Sequence, residues 1–129
     1  MNIYLSAQWS RRDEIEGYAK ELRELGHTVT SRWHHGEPMG DDSKPTRATW
    51  ARWAQADLDD IAAADVFLAF TELEGTMSRG GRHVEWGVAL SGNTELWICG
   101  QVESQFYALN DRQWGTWLNC IEFIKQESR

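Results

Sequence analysis

The sequence predicts an α/β fold: a doubly wound, mainly parallel sheet of about five strands with helices on both faces. Short β-prone apolar runs alternate with stretches of helical apolar spacing along the 129 residues. The connections between them are short, the pattern of a parallel sheet crossed by helices. The clearest strand, residues 65–70 (DVFLAF), is apolar almost throughout, as a parallel strand covered on both faces is. The length is that of a single domain spanning residues 1–129, and a chain of this size buries roughly two-thirds of its unfolded surface.

Residues 3–5 (IYL) form the first buried strand. Ile15, Tyr18, Ala19, Leu22 and Leu25 then recur at helical spacing, and Gly26 stops that helix. Residues 27–33 (HTVTSRW) alternate and are β-branched, which predicts a second strand. Residues 34–46 are rich in turn formers and make a surface loop of a length that is often functional. Residues 47–64 form a helix with Trp50, Trp53, Ala54, Leu58 and Ile61 on one face. The strand at 65–70 leads into a loop, residues 71–81, containing Gly75, Gly80 and Gly81. A helix over 82–91, a strand over 95–99, a fifth strand over 106–109 and a closing helix over 114–125 complete the chain. This succession is that of Rossmann-like and flavodoxin-like sheets, whose ligands bind beyond the carboxyl ends of the strands near a switch in strand order. Functional residues are therefore expected at 6–12, 33–42 and 71–85.

Thirteen basic residues against 20 acidic ones give a net charge of −7. A binder of nucleic-acid polymers or of membrane surfaces usually carries the opposite sign, so neither partner is expected. A small anion held by a few local arginines remains compatible with that charge. The apolar run at 66–70 is far below the ~20 residues of a membrane span. The N-terminus lacks the positive region and apolar stretch of a signal peptide. Cys99 and Cys120 have no metal-binding spacing and read as reduced thiols, so a cytoplasmic location is expected. The eight tryptophans are expected mainly in the core or between subunits, with one or two stacking on a ring-shaped ligand. His34 and His35 point apart on the expected strand and no further ligand set joins them, so neither a metal nor a cofactor is expected.

Three stretches bring chemistry-bearing residues to the expected ligand edge. In the first, Ser78, Arg79, Gly80 and Gly81 follow a strand and open a helix that carries Glu85. The glycines permit close backbone approach, and free N–H groups at a helix start attract an anion. Taken alone, this is equally a glycine loop with a capping acid. In the second, Asp57 lies one turn before Ile61 on the apolar side of its helix, where a carboxylate needs a partner or a task. Asp59 and Asp60 are expected to face solvent. In the third, the first strand runs into a polar loop where Ser10, Arg11 and Arg12 can hold a phosphate by charge-assisted hydrogen bonds, or simply cap a helix in solvent. Arg79 and Arg82 are expected at the same edge, and all four arginines can equally balance Asp41, Asp42, Glu72 and Glu74. His83, beside Glu85, is a helix-surface residue or a site residue.

These stretches together resemble the nucleoside 2-deoxyribosyltransferase superfamily, which includes the deoxynucleoside 5′-monophosphate N-glycosidases. Residues 3–9 (IYLSAQW) resemble its first strand and loop, where a tyrosine supports the catalytic glutamate. Residues 57–61 (DLDDI) with 65–68 (DVFL) resemble the helix and strand carrying its substrate-binding aspartate. Residues 81–89 (GRHVEWGVA) resemble its G-x-x-x-E-x-G-x-A segment, whose glutamate is the nucleophile. The three occur in order and anchor about 90 residues. Two departures stand out. Arg79 occupies the position six before the glutamate where an acidic or small polar residue is usual. The first loop carries Ser6 and Gln8 in place of glycines.

The resemblance implies cleavage or transfer at the N-glycosidic bond of a (deoxy)nucleoside or its 5′-monophosphate. It implies Glu85 as nucleophile, Asp57 as the contact to sugar or base and as proton donor, and Tyr4 as the residue that orients Glu85. Ser6, Trp9, Ser10, Arg11, Arg12, Trp33, Ser78, Arg79, Gly80 and Gly81 become the substrate-binding candidates, with Trp9 and Trp33 walling the base. Water as acceptor would make the chain a hydrolase, a second base a transferase. A homodimer or higher homo-oligomer is implied, with the segment 50–53 and the last helix between subunits. The alternatives are a non-catalytic nucleotide-binding or sensing module on the same fold, a phosphoribohydrolase, and a plain interaction domain. The phosphoribohydrolase pattern P-G-G-x-G-T-x-x-E lacks its proline and threonine here.

Overall fold

The computed structural model describes residues 1–35, 45–73, 76–77 and 80–128. Within these residues five strands form one parallel sheet: β1 (Asn2–Ser6), β2 (Thr28–Val29), β3 (Val66–Phe70), β4 (Glu95–Cys99) and β5 (Arg112–Trp114). Their order across the sheet is β2-β1-β3-β4-β5. The chain leaves β1 for β2 on one side, returns past it to β3, and continues to β4 and β5. The winding direction thus reverses between β1 and β3, whose carboxyl ends meet where Ser6 pairs with Ala69. A parallel doubly wound sheet opens its crevice at such a point.

Among the described residues four α-helices cover the sheet: α1 (Arg12–Glu24), α2 (Arg47–Ala62), α3 (Gly81–Leu90) and α4 (Trp117–Glu127). Strand alternation divides the core into two layers. Ile3, Leu5, Leu68, Phe70, Trp97 and Cys99 pack with Ile15, Ala19 and Leu22 of α1 and with Cys120, Ile121 and Ile124 of α4. Tyr4, Phe67, Ala69, Leu96 and Ile98 face the other way, onto Ile61 of α2 and onto Trp86 and Ala89 of α3. Thr46 and Thr116 cap α2 and α4 by accepting the N–H groups of Thr49 and Asn119, each at 3.2 Å. Among the described residues no helix is long and apolar enough to cross a membrane.

Three expectations are corrected. The fifth strand is not at 106–109, because residues Gln105–Leu109 form a 3-10 helix with Phe106 and Leu109 in solvent. Tyr107 alone turns inward, stacking on Trp86 at 4.5 Å. Asp111 then clamps the entry to β5: its N–H donates to the Leu96 carbonyl and its carboxylate accepts the Leu96 N–H, both at 2.7 Å. The second strand pairs over two residues only, because residues 31–35 turn away from the sheet. His34 and His35 therefore do not point apart. Their rings stack at 5.3 Å, and both reach Glu16 of α1, at 2.6 and 3.5 Å.

Candidate active site

Strand alternation puts Tyr4 and Ser6 on the same face of β1, toward α3. Glu85 lies one turn into α3, which Gly80 admits with a left-handed backbone (φ 88°) that a side chain would strain. Trp86 fixes the helix on the sheet. It is buried against Phe67 and Tyr107, and its indole N–H donates to the Phe106 carbonyl at 3.1 Å. Glu85 is thereby aimed at the carboxyl end of β1. The Tyr4 hydroxyl donates to Glu85 Oε2, and the Ser6 hydroxyl donates to Oε1 at 3.1 Å. The Tyr4 ring is itself held by stacking on Phe67 at 5.3 Å. Both oxygens of Glu85 thus accept a neutral hydroxyl, and no cation pairs with it among the described residues.

Asp57 approaches from α2. It has no hydrogen-bond partner among the described residues, and its charge is felt by both Tyr4 and Glu85. Burial raises Glu85 to about 7, against the opposing bonds from Tyr4 and Ser6, with the Asp57 charge adding to the rise. Burial likewise raises Asp57 to about 6, helped by the charge of Asp60 and opposed by Arg32. Tyr4 is pushed well above its ordinary value by burial and by Glu85. Two carboxyl groups in one crevice therefore titrate close to neutrality, where one can be ionised while its neighbour holds a proton.

The aromatic candidates border the same strand end. The Trp33 indole N–H donates to the Leu5 carbonyl at 2.7 Å, and its ring lies 6.3 Å from that of Trp9. Trp9 is partly exposed and carries the Arg12 guanidinium over its face at 4.8 Å. Ser10 is near Gln8 at 3.5 Å, and the Gln8 amide donates to the Met77 carbonyl at 3.4 Å, joining the first loop to the one after β3. Gly81 opens α3 on the surface. Ser78 and Arg79 lie outside the described residues.

Two of the four arginines, Arg11 and Arg82, are committed to carboxylates. Arg11 bridges Glu14 at 2.7 Å and Glu72 at 3.0 Å. It sits over Phe70 on the α1–α4 side, in a separate cleft of about 400 Å³ that Tyr18, Glu72 and Trp117 also line. Arg82 is not a loop residue at the ligand edge. It is in the first turn of α3 with 5% of its side chain exposed, and both its terminal nitrogens are spent on Glu103. Glu103 also accepts the Glu72 N–H at 3.1 Å, so this ion pair braces the loop after β3. His83 is exposed, with Nδ1 at 2.9 Å from the Tyr107 hydroxyl. Among the described residues no three His, Cys, Asp or Glu side chains group as a metal site.

Two features go beyond the sequence expectations. Ser6, a substrate-binding candidate, donates its hydroxyl to Glu85; the alternation that puts it on one face with Tyr4 is the signal for this. Asp60 was expected in solvent. It is buried, and Arg32 wraps it with backbone and side chain. Helical spacing cannot reveal a partner that comes from another segment.

No family model and no curated protein matches the sequence. Solved structures do match it. A 2-deoxyribosyltransferase from Bacillus psychrosaccharolyticus superposes with a TM-score of 0.75 at 17% identity, over 93% of this chain and 90% of that one. The Clostridium botulinum CMP N-glycosidase BcmB superposes with a TM-score of 0.61 at 16% identity, over 98% of this chain and 99% of that one. The resemblance read from the sequence thus extends to the fold: this chain has the architecture of a 2-deoxyribosyltransferase and of a CMP N-glycosidase.

Proposed function

We propose that this chain is an enzyme of the nucleoside 2-deoxyribosyltransferase kind, which breaks the N-glycosidic bond of a (deoxy)nucleoside or its 5′-monophosphate. The observation that carries this reading is the Glu85 carboxylate: held by Tyr4 and Ser6, without a counter-ion among the described residues, at the sheet's switch point, with Asp57 beside it. Loss of the base builds positive charge at the anomeric carbon. The reacting form has Glu85 ionised and Asp57 protonated, the less populated of the two single-proton forms since Glu85 stands at about 7 and Asp57 at about 6. In it, Glu85 attacks this carbon, forming a glycosyl ester while the bond to the base breaks. The base leaves with the bonding electron pair and takes the proton of Asp57. A water molecule or a second base then attacks the anomeric carbon and frees Glu85.

Tyr4 acts as a positioning residue that presents one oxygen of Glu85 to the sugar. Trp9 and Trp33 supply ring faces for the base. Arg11 and Arg82 are already neutralised, so a 5′-phosphate would rely on Arg12, Ser10 and the Ser78–Arg79 pair. Exposed Trp50, Leu58 and Val84 on α2 and α3 support a homo-oligomer, and the reduced, buried cysteines fit a cytoplasmic protein.

The test is chromatographic release of free base from a panel of deoxynucleosides, ribonucleosides and their 5′-monophosphates, with and without an acceptor base. Release in water that is lost in Glu85→Ala supports a hydrolase. Product only with acceptor supports a transferase. Tight nucleotide binding that survives Glu85→Ala, with no base released from any member, would replace the catalytic reading by a binding or sensing module.

A further inference from the structure

Arg32 and Asp60 lie outside the machinery assigned above. The Asp60 carboxylate, on a residue only 7% exposed, accepts the Arg32 backbone N–H at 3.1 Å and the guanidinium Nε at 2.9 and 3.1 Å. The second arm of the guanidinium reaches it at 2.9 Å. Asp60 follows Asp57 by three residues on α2, so the two carboxyl groups are neighbours on one helix side. Arg32 stands between Ser31, whose hydroxyl accepts the Leu5 N–H at 3.1 Å, and Trp33, whose indole donates to the Leu5 carbonyl. The segment is thus stitched to β1 by its two flanking residues and to α2 by the ion pair.

We infer that Arg32 and Asp60 are a positioning pair for the proposed reaction: they lock the turn of α2 bearing Asp57 against the segment bearing Trp33 and keep a carboxylate beside Asp57. This rests on the reading that Asp57 gives its proton to the departing base. Among the described residues, the charged and titratable groups facing Asp57 are Asp60 on its own helix, Arg32 from the segment after β2, Tyr4 from β1 and Glu85 from α3. Asp60 favours the protonated form of Asp57 and Arg32 opposes it. Removing either partner therefore has opposite consequences for Asp57, although both removals break the same tether.

The experiment is a carboxyl-carbon NMR titration of Asp57 in wild type, Asp60→Asn, Arg32→Gln and Arg32→Lys, with base release followed against pH in the same proteins. The Asp57 midpoint is expected to fall in Asp60→Asn and to rise in Arg32→Gln, each by on the order of half a unit or more. Arg32→Lys is expected near wild type. The limb of base release that follows Asp57 should move in the same directions. A plain tether would move both midpoints the same way or not at all, and that result overturns the inference. Because 63% of the Arg32 side chain is exposed, its variants are expected to fold. If Asp60→Asn does not, a rise in Arg32→Gln reversed by Arg32→Lys still supports the inference, and no rise overturns it. The titration needs no turnover: opposite shifts without base release from wild type would overturn the proposed reaction and leave the charge relation standing.

Discussion

The hydroxyl of Tyr4 donates to the carboxylate of Glu85, joining the first strand to a helix 81 residues later. Ser6, two residues along the same strand, binds the other oxygen. The carboxylate is therefore oriented by a rigid parallel strand, and both its donors are neutral. A cation in their place would hold Glu85 ionised but would also quench its charge toward a developing oxocarbenium ion.

Tyr4→Phe keeps the ring on Phe67 and removes one donor. The Tyr4 bond favours ionised Glu85, so its loss raises Glu85 further above about 7. The reacting form, Glu85 ionised with Asp57 protonated, becomes scarcer, so kcat/KM at neutrality should fall roughly tenfold and the limb that follows Glu85 should shift to higher pH. Stability should change by only about 1 kcal/mol. A pH–rate profile beside a thermal melt checks both.

Asp57→Asn should lower kcat by about 10²–10⁴-fold for bases that need protonation to leave. The loss should be much smaller for a base that is already cationic. Because the Asp57 charge raises Glu85, the low-pH limb should move to lower pH, opposite to Tyr4→Phe. Single-turnover rates across a leaving-group series measure this.

Glu85 also links stability to pH. Its folded-state value of about 7 lies above the ordinary 4.5, so folding favours the protonated form. The stabilising contribution is complete below about 4.5 and is lost as pH rises through about 7. Wild type should therefore lose on the order of 2 kcal/mol between pH 5 and pH 8 relative to Glu85→Gln. Urea unfolding of the two proteins at both pH values tests the sign; a wild type that holds or gains stability relative to Glu85→Gln from pH 5 to pH 8 would refute it.

Arg82→Met leaves Glu103 buried without its cation. The cost should be about 3–5 kcal/mol, read as a lowered unfolding midpoint. Among molecules that remain folded, the ratio of activity on nucleoside to activity on 5′-monophosphate should not change, since Arg82 is committed to Glu103. A selective loss on the phosphorylated substrate would show that this guanidinium reaches phosphate.

Much of this architecture was legible in the sequence. Residues 66–70 announce a buried parallel strand by composition alone, and Gly80 and Gly81 mark the entry to the helix that carries Glu85. Alternation puts Tyr4 on one face of β1 with Ser6. The rest was hidden for identifiable reasons. β5 is a three-residue edge strand, Arg112–Trp114, with no apolar run, whereas Phe106 and Leu109 look strand-like but stand in solvent. The burial of Asp60 depends on Arg32, 28 positions away. The Ser31–His34–Glu16 chain, with contacts of 2.6 Å at each link, joins residues that share no spacing pattern.

The claim that matters most is that Glu85 forms a bond to sugar. Intact-mass spectrometry of protein quenched during turnover, followed by peptide mapping, reads it directly. The expected result is a mass increase of one deoxyribosyl or ribosyl unit, with or without its 5′-phosphate, on the peptide containing Glu85 and absent from Glu85→Ala. Steady base release with no adduct at Glu85, or undiminished release by Glu85→Ala, would contradict the account.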